Sequence, residues 1–277
     1  MHTRQVFRYL TVLALVATVI AAPAVTGADG GTHFAYDFSE GYVQQYKVNF
    51  KQEMFRGSFS WSAIVDLEVT EKCVGVSDEG AFEMEIVFDK VEASMMMFDK
   101  MRDSGIGESL TGQAVSFTVD KHGETNDVKA MGYIESWNQV EQIVTELVNQ
   151  FYVHLPAEDH SKGDKWEFTD EKDEQGMNVT ENWEYEFKEV KQEMGRECAK
   201  VQAEVEFGIG GISSTPGGDF KMDGGGDGKY EFFFDGSEGL VVKLKGAIEI
   251  NSDMTPVDGK GDTNELTINY EISRELL

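Results

Sequence analysis

Apolar and polar residues alternate with a period of two over most of the chain beyond residue 40. The clearest run extends from Phe59 to Val69, where every second residue is apolar and most residues between are polar. This period predicts β-strands with one dry and one solvated face. Similar runs cover 42–54, 82–88, 115–119, 183–187, 201–209, 230–234, 240–250 and 266–272. Several exceed the usual length of ~5–6 residues. We therefore expect a mainly β fold, either a large curved antiparallel sheet or an incomplete β-barrel.

One segment, 136–152, has the period of a helix instead. Its apolar residues fall on one stripe, which contains Trp137, Val140, Val144, Leu147, Val148 and Phe151. Ser136, followed three residues later by Gln139, is a capping-box pattern at the helix start. A single amphipathic helix in a β protein is expected to lie on the concave apolar face of the sheet. It would cover that face permanently or share it with a ligand.

The first 28 residues have the features of a secretory signal peptide. Arg4 and Arg8 precede an almost wholly apolar run from Leu10 to Ala22, and small residues follow. This order is typical of a cleaved signal, and the run is shorter than the ~20 residues that span a membrane. An uncleaved anchor is the alternative. We expect an exported protein, periplasmic or extracellular, whose mature chain, 29–277, forms a single half-barrel β domain without a further transmembrane segment.

The chain is strongly acidic, with 51 Asp and Glu against 24 Lys and Arg and a formal net charge of -27. Loss of Arg4 and Arg8 with the signal would bring the net charge to about -29. Nucleic acid is excluded as a partner, because phosphate binding depends on clusters of Lys and Arg. Most of the acids lie between the apolar positions of the predicted strands. We therefore expect them to form the solvated outer coat of the sheet.

Two stretches interrupt the alternation. The first, 94–113, contains the cluster Met95, Met96, Met97 and Phe98, and the second, 208–228, contains nine glycines. Methionine side chains are flexible and suit adaptable apolar surfaces. The cluster is therefore predicted to form a pliable lip over an apolar cavity, with ordinary core packing as the alternative. The glycine-rich stretch predicts a long loop that is functional or disordered.

The two cysteines, Cys73 and Cys198, both fall in the mature chain. An oxidising compartment permits a disulfide between them, and a structural Cys73–Cys198 bridge is the favoured prediction. Free thiols are the alternative, because a sequence does not show whether two Cα atoms are close enough to be bridged.

No motif indicates a metal site, a cofactor or a catalytic centre. Asp223–Gly228 has acids at positions 1 and 5 of an EF-hand-like count, but positions 3 and 12 lack ligands. The turn Asp258–Asp262 matches such a loop only loosely, and His154 and His160 follow no zinc-site spacing. Neither G-x-S-x-G nor H-E-x-x-H occurs. We expect solvated turns, no cofactor, no bound metal and no enzymatic activity.

Several short motifs, in order along the chain, resemble those of exported bacterial proteins of the LolA/LolB/LppX type. The motifs are FSEGY at 38–42, FTVDKHG at 117–123, the helix, then LP at 155–156 and GDKW at 163–166. The resemblance implies an incomplete antiparallel barrel with a covering helix and a concave side that holds lipid or another apolar ligand. Two features depart from that family: the signal region has no lipid-attachment cysteine, and the chain is longer than the small carriers.

We therefore expect an exported, non-enzymatic protein that binds or carries an apolar, lipid-like molecule in the concavity of a half-barrel. The predicted ligand contacts come from the helix stripe, the methionine lip and inward strand positions, and they are Trp137, Val144, Leu147, Met95, Met97, Phe98, Trp61, Phe82 and Phe232. The alternative is an envelope or extracellular structural or interaction module with a filled core, binding cations at the acidic glycine loops. No protein partner is specified by either hypothesis.

Overall fold

A computed structural model describes residues 32–57, 59–97, 100–103, 105–134, 137–174, 176–215, 218–259 and 261–277. The predicted signal peptide, 1–28, and residue Phe98 lie outside the described residues. The elements in chain order are β1 Val43–Arg56, β2 Phe59–Val76, β3 Phe82–Met97, β4 Lys100–Asp103, α1 Ile106–Leu110, β5 Ala114–Val119, β6 Thr125–Ala130, α2 Trp137–Asn149, β7 Lys165–Glu174, β8 Met177–Glu193, β9 Arg196–Thr215, β10 Gly218–Asp235, β11 Leu240–Pro256 and β12 Asn264–Leu276.

All twelve strands belong to one antiparallel sheet. Its order is β6-β5-β3-β2-β1-β12-β11-β10-β9-β8-β7, and the short β4 pairs with β3 beside this path. β1 joins the first half of the chain to the last strand, since Tyr46 is opposite Leu276 and Arg56 is opposite Leu266. The sheet is open, with β6 and β7 at its two ends. The predicted mainly β fold, a large curved antiparallel sheet, is confirmed.

Alternation along the strands produces one buried face, called the inner face here. On β12, for example, Leu266, Ile268 and Tyr270 are buried while the residues between them are more exposed. The outward positions of β9 carry exposed acids such as Glu204 and Glu206, as expected for a solvated coat. The predicted helix is also confirmed, as α2, and its residues Val144 and Val148 are buried in the core.

The glycine-rich stretch 208–228 is not a loop, contrary to the prediction. β9 and β10 run through most of it as long paired strands, with Gly208 opposite Gly225. A Cβ on Gly225 would overlap the Phe207 carbonyl of β9, and a Cβ on Gly226 would overlap the Glu249 carbonyl of β11. The glycines therefore permit β10 to approach both neighbouring strands closely, which larger residues would prevent.

The stretch 94–113 also contains regular structure. β3 continues to Met97 and forms a hairpin with β4, and the short helix α1 follows. Met95 points into the core and is 8% exposed, whereas Met96 is on the opposite face of the strand and is 43% exposed. The methionine cluster therefore contributes to both faces of one strand and does not form a separate loop over the sheet.

The sheet curls about its inner face. The Arg56 guanidinium carbon lies 5.2 Å from the centre of the Phe220 ring, although β12 and β11 lie between the strands that carry these residues. Three strand spacings on a flat sheet would separate the two backbones laterally by about 14 Å. The contact is therefore made across the concavity, between inward residues of β1 and β10.

The predicted Cys73–Cys198 disulfide is not formed, because both cysteines are free and buried. Cys73 is on β2 and Cys198 on β9, and four strands of the sheet separate them. Each thiol instead contacts a nearby carbonyl, that of Gly75 for Cys73 and that of Arg196 for Cys198. A period-two pattern identifies a strand, but it does not show how far two strands lie apart in the sheet. The sequence therefore could not show that Cys73 and Cys198 are too far apart to be bridged.

None of the helices in the described ranges is long and apolar enough to cross a membrane.

Candidate functional site

One end of the inner face is filled by aromatic residues from two irregular segments. The segment 32–42 precedes β1, and the segment 150–155 follows α2. Their contacts define what we call the aromatic end: Phe38 packs edge-on against Phe82 with ring centres 5.3 Å apart, and Tyr36 packs against Tyr152 at 5.1 Å. Phe34 similarly contacts Phe187 of β8. These side chains are at most 7% exposed, so this end is a closed core.

A buried polar cluster ties the segment 150–155 to the sheet. The Tyr152 hydroxyl donates a 2.5 Å hydrogen bond to Glu71 of β2. Arg274 of β12 donates to the backbone carbonyl of Phe151 and, at 3.1 Å, to that of Val241. Its guanidinium carbon also lies 4.3 Å from the centre of the Tyr46 ring. Glu71 and Arg274 are only 1% and 3% exposed.

The pKa values in this cluster reflect its burial. Burial raises the pKa of the Glu71 carboxyl, and the Arg274 charge and the Tyr152 hydroxyl partly oppose that shift. Burial also raises the pKa of the Tyr152 and Tyr36 hydroxyls well above the ordinary value. Strong pKa perturbation often marks a functional site, but structural ion-pair networks produce it as well. Here the groups bind backbone carbonyls and one another, which is the pattern of a structural clamp.

The opposite end of the inner face is rich in methionine. Five buried methionines from five strands lie there, and they define the methionine end: Met54, Met95, Met177, Met222 and Met254. The strand register aligns three of them in one row, because Met177 is opposite Gly211, Gly211 is opposite Met222, and Met222 is opposite Met254. These five side chains are 3–8% exposed. Thioether chains can repack around an apolar guest with little strain.

Two buried polar atoms at the methionine end have no hydrogen-bond partner among the described residues. They are Nε1 of Trp61 and Oγ of Ser252, and both residues are 4% exposed. Trp61 is opposite Met54, and Ser252 is the inward residue next before Met254 on β11. A buried donor that remains unsatisfied costs roughly 1–3 kcal/mol. Buried polar atoms without a partner among the described residues occur at the aromatic end as well, namely Oη of Tyr36, Oε2 of Glu71 and Nε of Arg274.

Two other polar side chains on the inner face already have partners. Gln52 donates a 2.8 Å hydrogen bond to the hydroxyl of Tyr270. Glu181 of β8 is 1% exposed and accepts a hydrogen bond from Trp183 Nε1 at 3.1 Å. Lys172 lies 3.9 Å from the same carboxylate. This part of the face is thus mostly apolar, with a few fixed polar groups.

The structure divides the predicted ligand contacts between the two ends. Trp61 and Met95 lie at the methionine end, and Met97 is on the same part of β3, although its side chain is outside the described residues. Phe82 belongs to the aromatic end. Phe232 is fully buried near Tyr185, between the two ends.

The helix residues among the predicted ligand contacts pack against the core. Val144 of α2 is fully buried, and Trp137 and Leu147 are half-buried against the core. The end of α2 is fixed to β6 by a hydrogen bond between Thr125 and Asn149. That the helix stripe and the methionines contact one ligand stays a prediction.

The acidic glycine motif at 223–228 does not form the loop on which the calcium alternative depends, whereas Asp258 does lie in a turn, between β11 and β12. Asp223 and Asp227 are exposed residues within β10, and Asp223 is paired with Lys221. His33 binds Asp159 at 2.8 Å, while the His154 ring packs on Phe168. Within the part of the chain that the structure describes, no group of three or more His, Cys, Asp or Glu side chains is placed to hold a metal ion.

Residues that sequence reasoning missed have recognisable signals. Met177, Met222 and Met254 all stand in phase with the apolar positions of their strands, but only the register brings them to one end. Glu71 and Arg274 stand at inward positions. A charged residue at such a position interrupts the apolar alternation, and the strand is then predicted to end too early.

Comparison with known proteins gives a structural likeness but no sequence match. No family model matches the chain, and no curated protein matches its sequence. The chain is similar to a chain of the solved structure "Lipid-protein interactions in lipovitellin", with a TM-score of 0.49 and 12% sequence identity. The match covers 87% of this chain and 25% of that chain, so this chain spans about a quarter of the length of its match. Membership of the LolA/LolB/LppX type stays a prediction.

Proposed function

We propose that this protein binds an apolar, lipid-like molecule at the methionine end of its inner face and is not an enzyme. The observation that carries the proposal is the contrast between the two ends. Aromatic rings and the clamp formed by Tyr152, Glu71 and Arg274 close one end. The other end presents flexible thioethers from five strands.

The energetics suit a non-covalent carrier. Each CH₂ group that leaves water contributes about 0.8 kcal/mol, and a C12 chain therefore offers about 9 kcal/mol. Loss of translational and rotational freedom costs at least about 4 kcal/mol of this. At most about 5 kcal/mol remains, which corresponds to a dissociation constant of about 0.2 mM or weaker without any polar contact. Such an affinity would allow uptake and release.

Export to the periplasm or the extracellular space is part of the proposal. It is supported by the basic, apolar and small-residue order of 1–28 and by the acidic coat on the outer face of the sheet. Edman sequencing of the protein secreted from its host would test it. A mature amino terminus close to residue 29 supports export, whereas an intact Met1 in the soluble cell fraction contradicts it.

Binding is tested with N-phenyl-1-naphthylamine, an uncharged fluorophore that brightens in apolar sites. Wild-type protein should bind it saturably, and native mass spectrometry after gentle purification should show co-purified apolar molecules. Met95→Gln introduces a polar group of similar shape on the inner face and should weaken binding by about tenfold. Met96→Gln makes the same change on the outer face of the same strand and is the matched control.

The alternative is a structural or interaction module with a filled core. The 3–8% exposure of the five methionines favours it, because side chains in a solid core would be similarly buried. A filled core predicts no saturable fluorophore binding, a bare mass, and equal behaviour of the Met95→Gln and Met96→Gln variants once their stabilities are taken into account.

A further inference from the structure

We infer that the ligand of the methionine end is a single-chain amphiphile with an anionic headgroup, a carboxylate or a phosphate, which Arg56 binds. This inference rests on the proposed function. It concerns the part of the site at which apolar side chains give way to hydrogen-bond donors.

Arg56 is an unusual residue in this chain. Guanidinium groups are scarce, and the two others whose side chains are described already have partners: Arg196 pairs with Asp235 at 2.7 Å, and Arg274 binds backbone carbonyls. Among the described residues, Arg56 forms no salt bridge, and its guanidinium rests on the Phe220 ring. In a chain with 51 acidic residues, a cation without a carboxylate partner is available to an external anion.

The register places Arg56 at the methionine end. It is the inward residue next after Met54 on β1, and it is opposite the buried Leu266. Stacking on Phe220 holds its guanidinium over the concavity and still leaves its N–H groups free to donate. The headgroup of a ligand at Arg56 would lie at the last inward position of β1, with its chain directed along the inner face.

Two further donors surround this position. Trp61 is the diagonal neighbour of Arg56 across the β1–β2 pair, a relation that places Cα atoms about 7–8 Å apart. Ser252 is opposite Leu266, which is itself opposite Arg56, so two strand spacings, or about 10 Å, separate Ser252 from Arg56. The Trp61 indole can only donate, and neither its Nε1 nor Oγ of Ser252 has a hydrogen-bond partner within the described part of the chain.

The donor types select the chemistry of the headgroup. A guanidinium, an indole N–H and a hydroxyl all donate to oxygen, and a carboxylate or a phosphate offers several acceptor oxygens at once. Glu181 is the described carboxylate on this part of the inner face, and Trp183 and Lys172 already engage it. The acids of the outer face act through solvent, where screening limits their reach to about 8 Å at physiological ionic strength.

The test compares three C12 ligands as competitors of bound N-phenyl-1-naphthylamine: dodecanoate, dodecyl phosphate and dodecanol. All three share the chain and differ only in the headgroup. We expect at least one of the two anions to bind about tenfold or more tightly than dodecanol. A preference between the anions identifies the headgroup as carboxylate or phosphate, and either preference supports the inference.

Three variants locate the effect. Arg56→Gln should abolish the preference for the anion, and Arg56→Lys should keep part of it, which distinguishes loss of charge from loss of folding. Trp61→Phe removes the indole donor, keeps an aromatic ring and should weaken anion binding several-fold. Lys51→Gln removes a cation from an outward position of the same strand, where it pairs with Glu271, and should leave the preference intact.

The outcomes separate the two proposals. Equal affinity for all three ligands, unchanged by Arg56→Gln, overturns the headgroup inference and leaves apolar binding in place. If the wild-type protein binds neither the fluorophore nor any C12 ligand, the proposed function itself is wrong.

Discussion

The hydroxyl of Tyr152 donates a 2.5 Å hydrogen bond to the carboxylate of Glu71, at a point where both residues are 1% exposed. The two are 81 residues apart in sequence, and the bond fastens the segment that follows α2 to strand β2. It closes the aromatic end of the inner face.

Replacing Tyr152 with Phe tests this fastening. The variant keeps the ring contacts but leaves Oε1 of Glu71 without its donor, which should lower the free energy of unfolding by about 1–3 kcal/mol in urea titrations. Hydrogen exchange in 150–155 should accelerate. Tyr133→Phe removes a hydroxyl from a residue that is 87% exposed and should change neither quantity. Equal effects of the two substitutions would contradict the assigned role.

Glu71 and Arg274 are expected to depend on each other. Glu71→Gln leaves the buried guanidinium without its nearby negative charge and should cost about 3 kcal/mol. Arg274→Gln should cost at least as much, because the carbonyls of Phe151 and Val241 lose their donor. The double variant should cost less than the two single variants together, by more than about 0.5 kcal/mol. Strict additivity in the unfolding cycle would show that the two groups are independent.

We expect the buried imidazole of His154 to lower the free energy of unfolding in mild acid. Burial lowers the pKa of its imidazole to about 4, although Asp170 and Asp120 favour the charged form. The unfolded chain, with a pKa near 6.5, therefore binds more protons than the folded chain between about pH 6.5 and 4, and folding weakens as the pH falls through this range. Relative to His154→Gln, the wild-type protein should lose up to about 3 kcal/mol between pH 7 and pH 4. A constant difference between the two proteins over this range would refute the burial argument.

We expect a side chain at position 246 to disturb the packing of the inner face. The Tyr230 ring lies over this glycine on the inner face, in the space that a Cβ would occupy. Gly246→Ala should therefore destabilise the fold by about 1–3 kcal/mol, since the buried ring has to move. Gly132→Ala is the matched control, because nothing lies within 4 Å of its Cβ position. Thermal unfolding distinguishes the two variants, and equal melting temperatures would contradict the close contact.

The sequence predicted the strands well because one face of the sheet is dry. Where an inward position carries a charge, the same rule failed: the apolar runs end at Val69 and Ile272, but the strands continue through Glu71 and Arg274. Each of these residues is accommodated by a group that is remote in the chain. The pattern of residues along a single strand does not show which remote group accommodates a buried charge.

The loop prediction for the glycine-rich stretch was wrong, and most of the buried methionines were not singled out, for a related reason. Gly225 and Gly226 resemble a loop, because the neighbouring backbones that exclude a side chain there belong to β9 and β11. Met95 was identified from the sequence as a ligand contact, but its companions Met177 and Met222 were not. The three methionines come together only through the register of a sheet that curls.

The most direct test of apolar binding at the methionine end is a ¹³C-methyl methionine NMR titration with N-phenyl-1-naphthylamine. We predict that the methyl resonances of Met54, Met95, Met177, Met222 and Met254 shift together and saturate with one affinity. Met84, which is fully buried away from this end, and the exposed Met96 should keep their positions. Shifts confined to Met96 and other exposed methionines, or no saturable shift at all, would contradict the account.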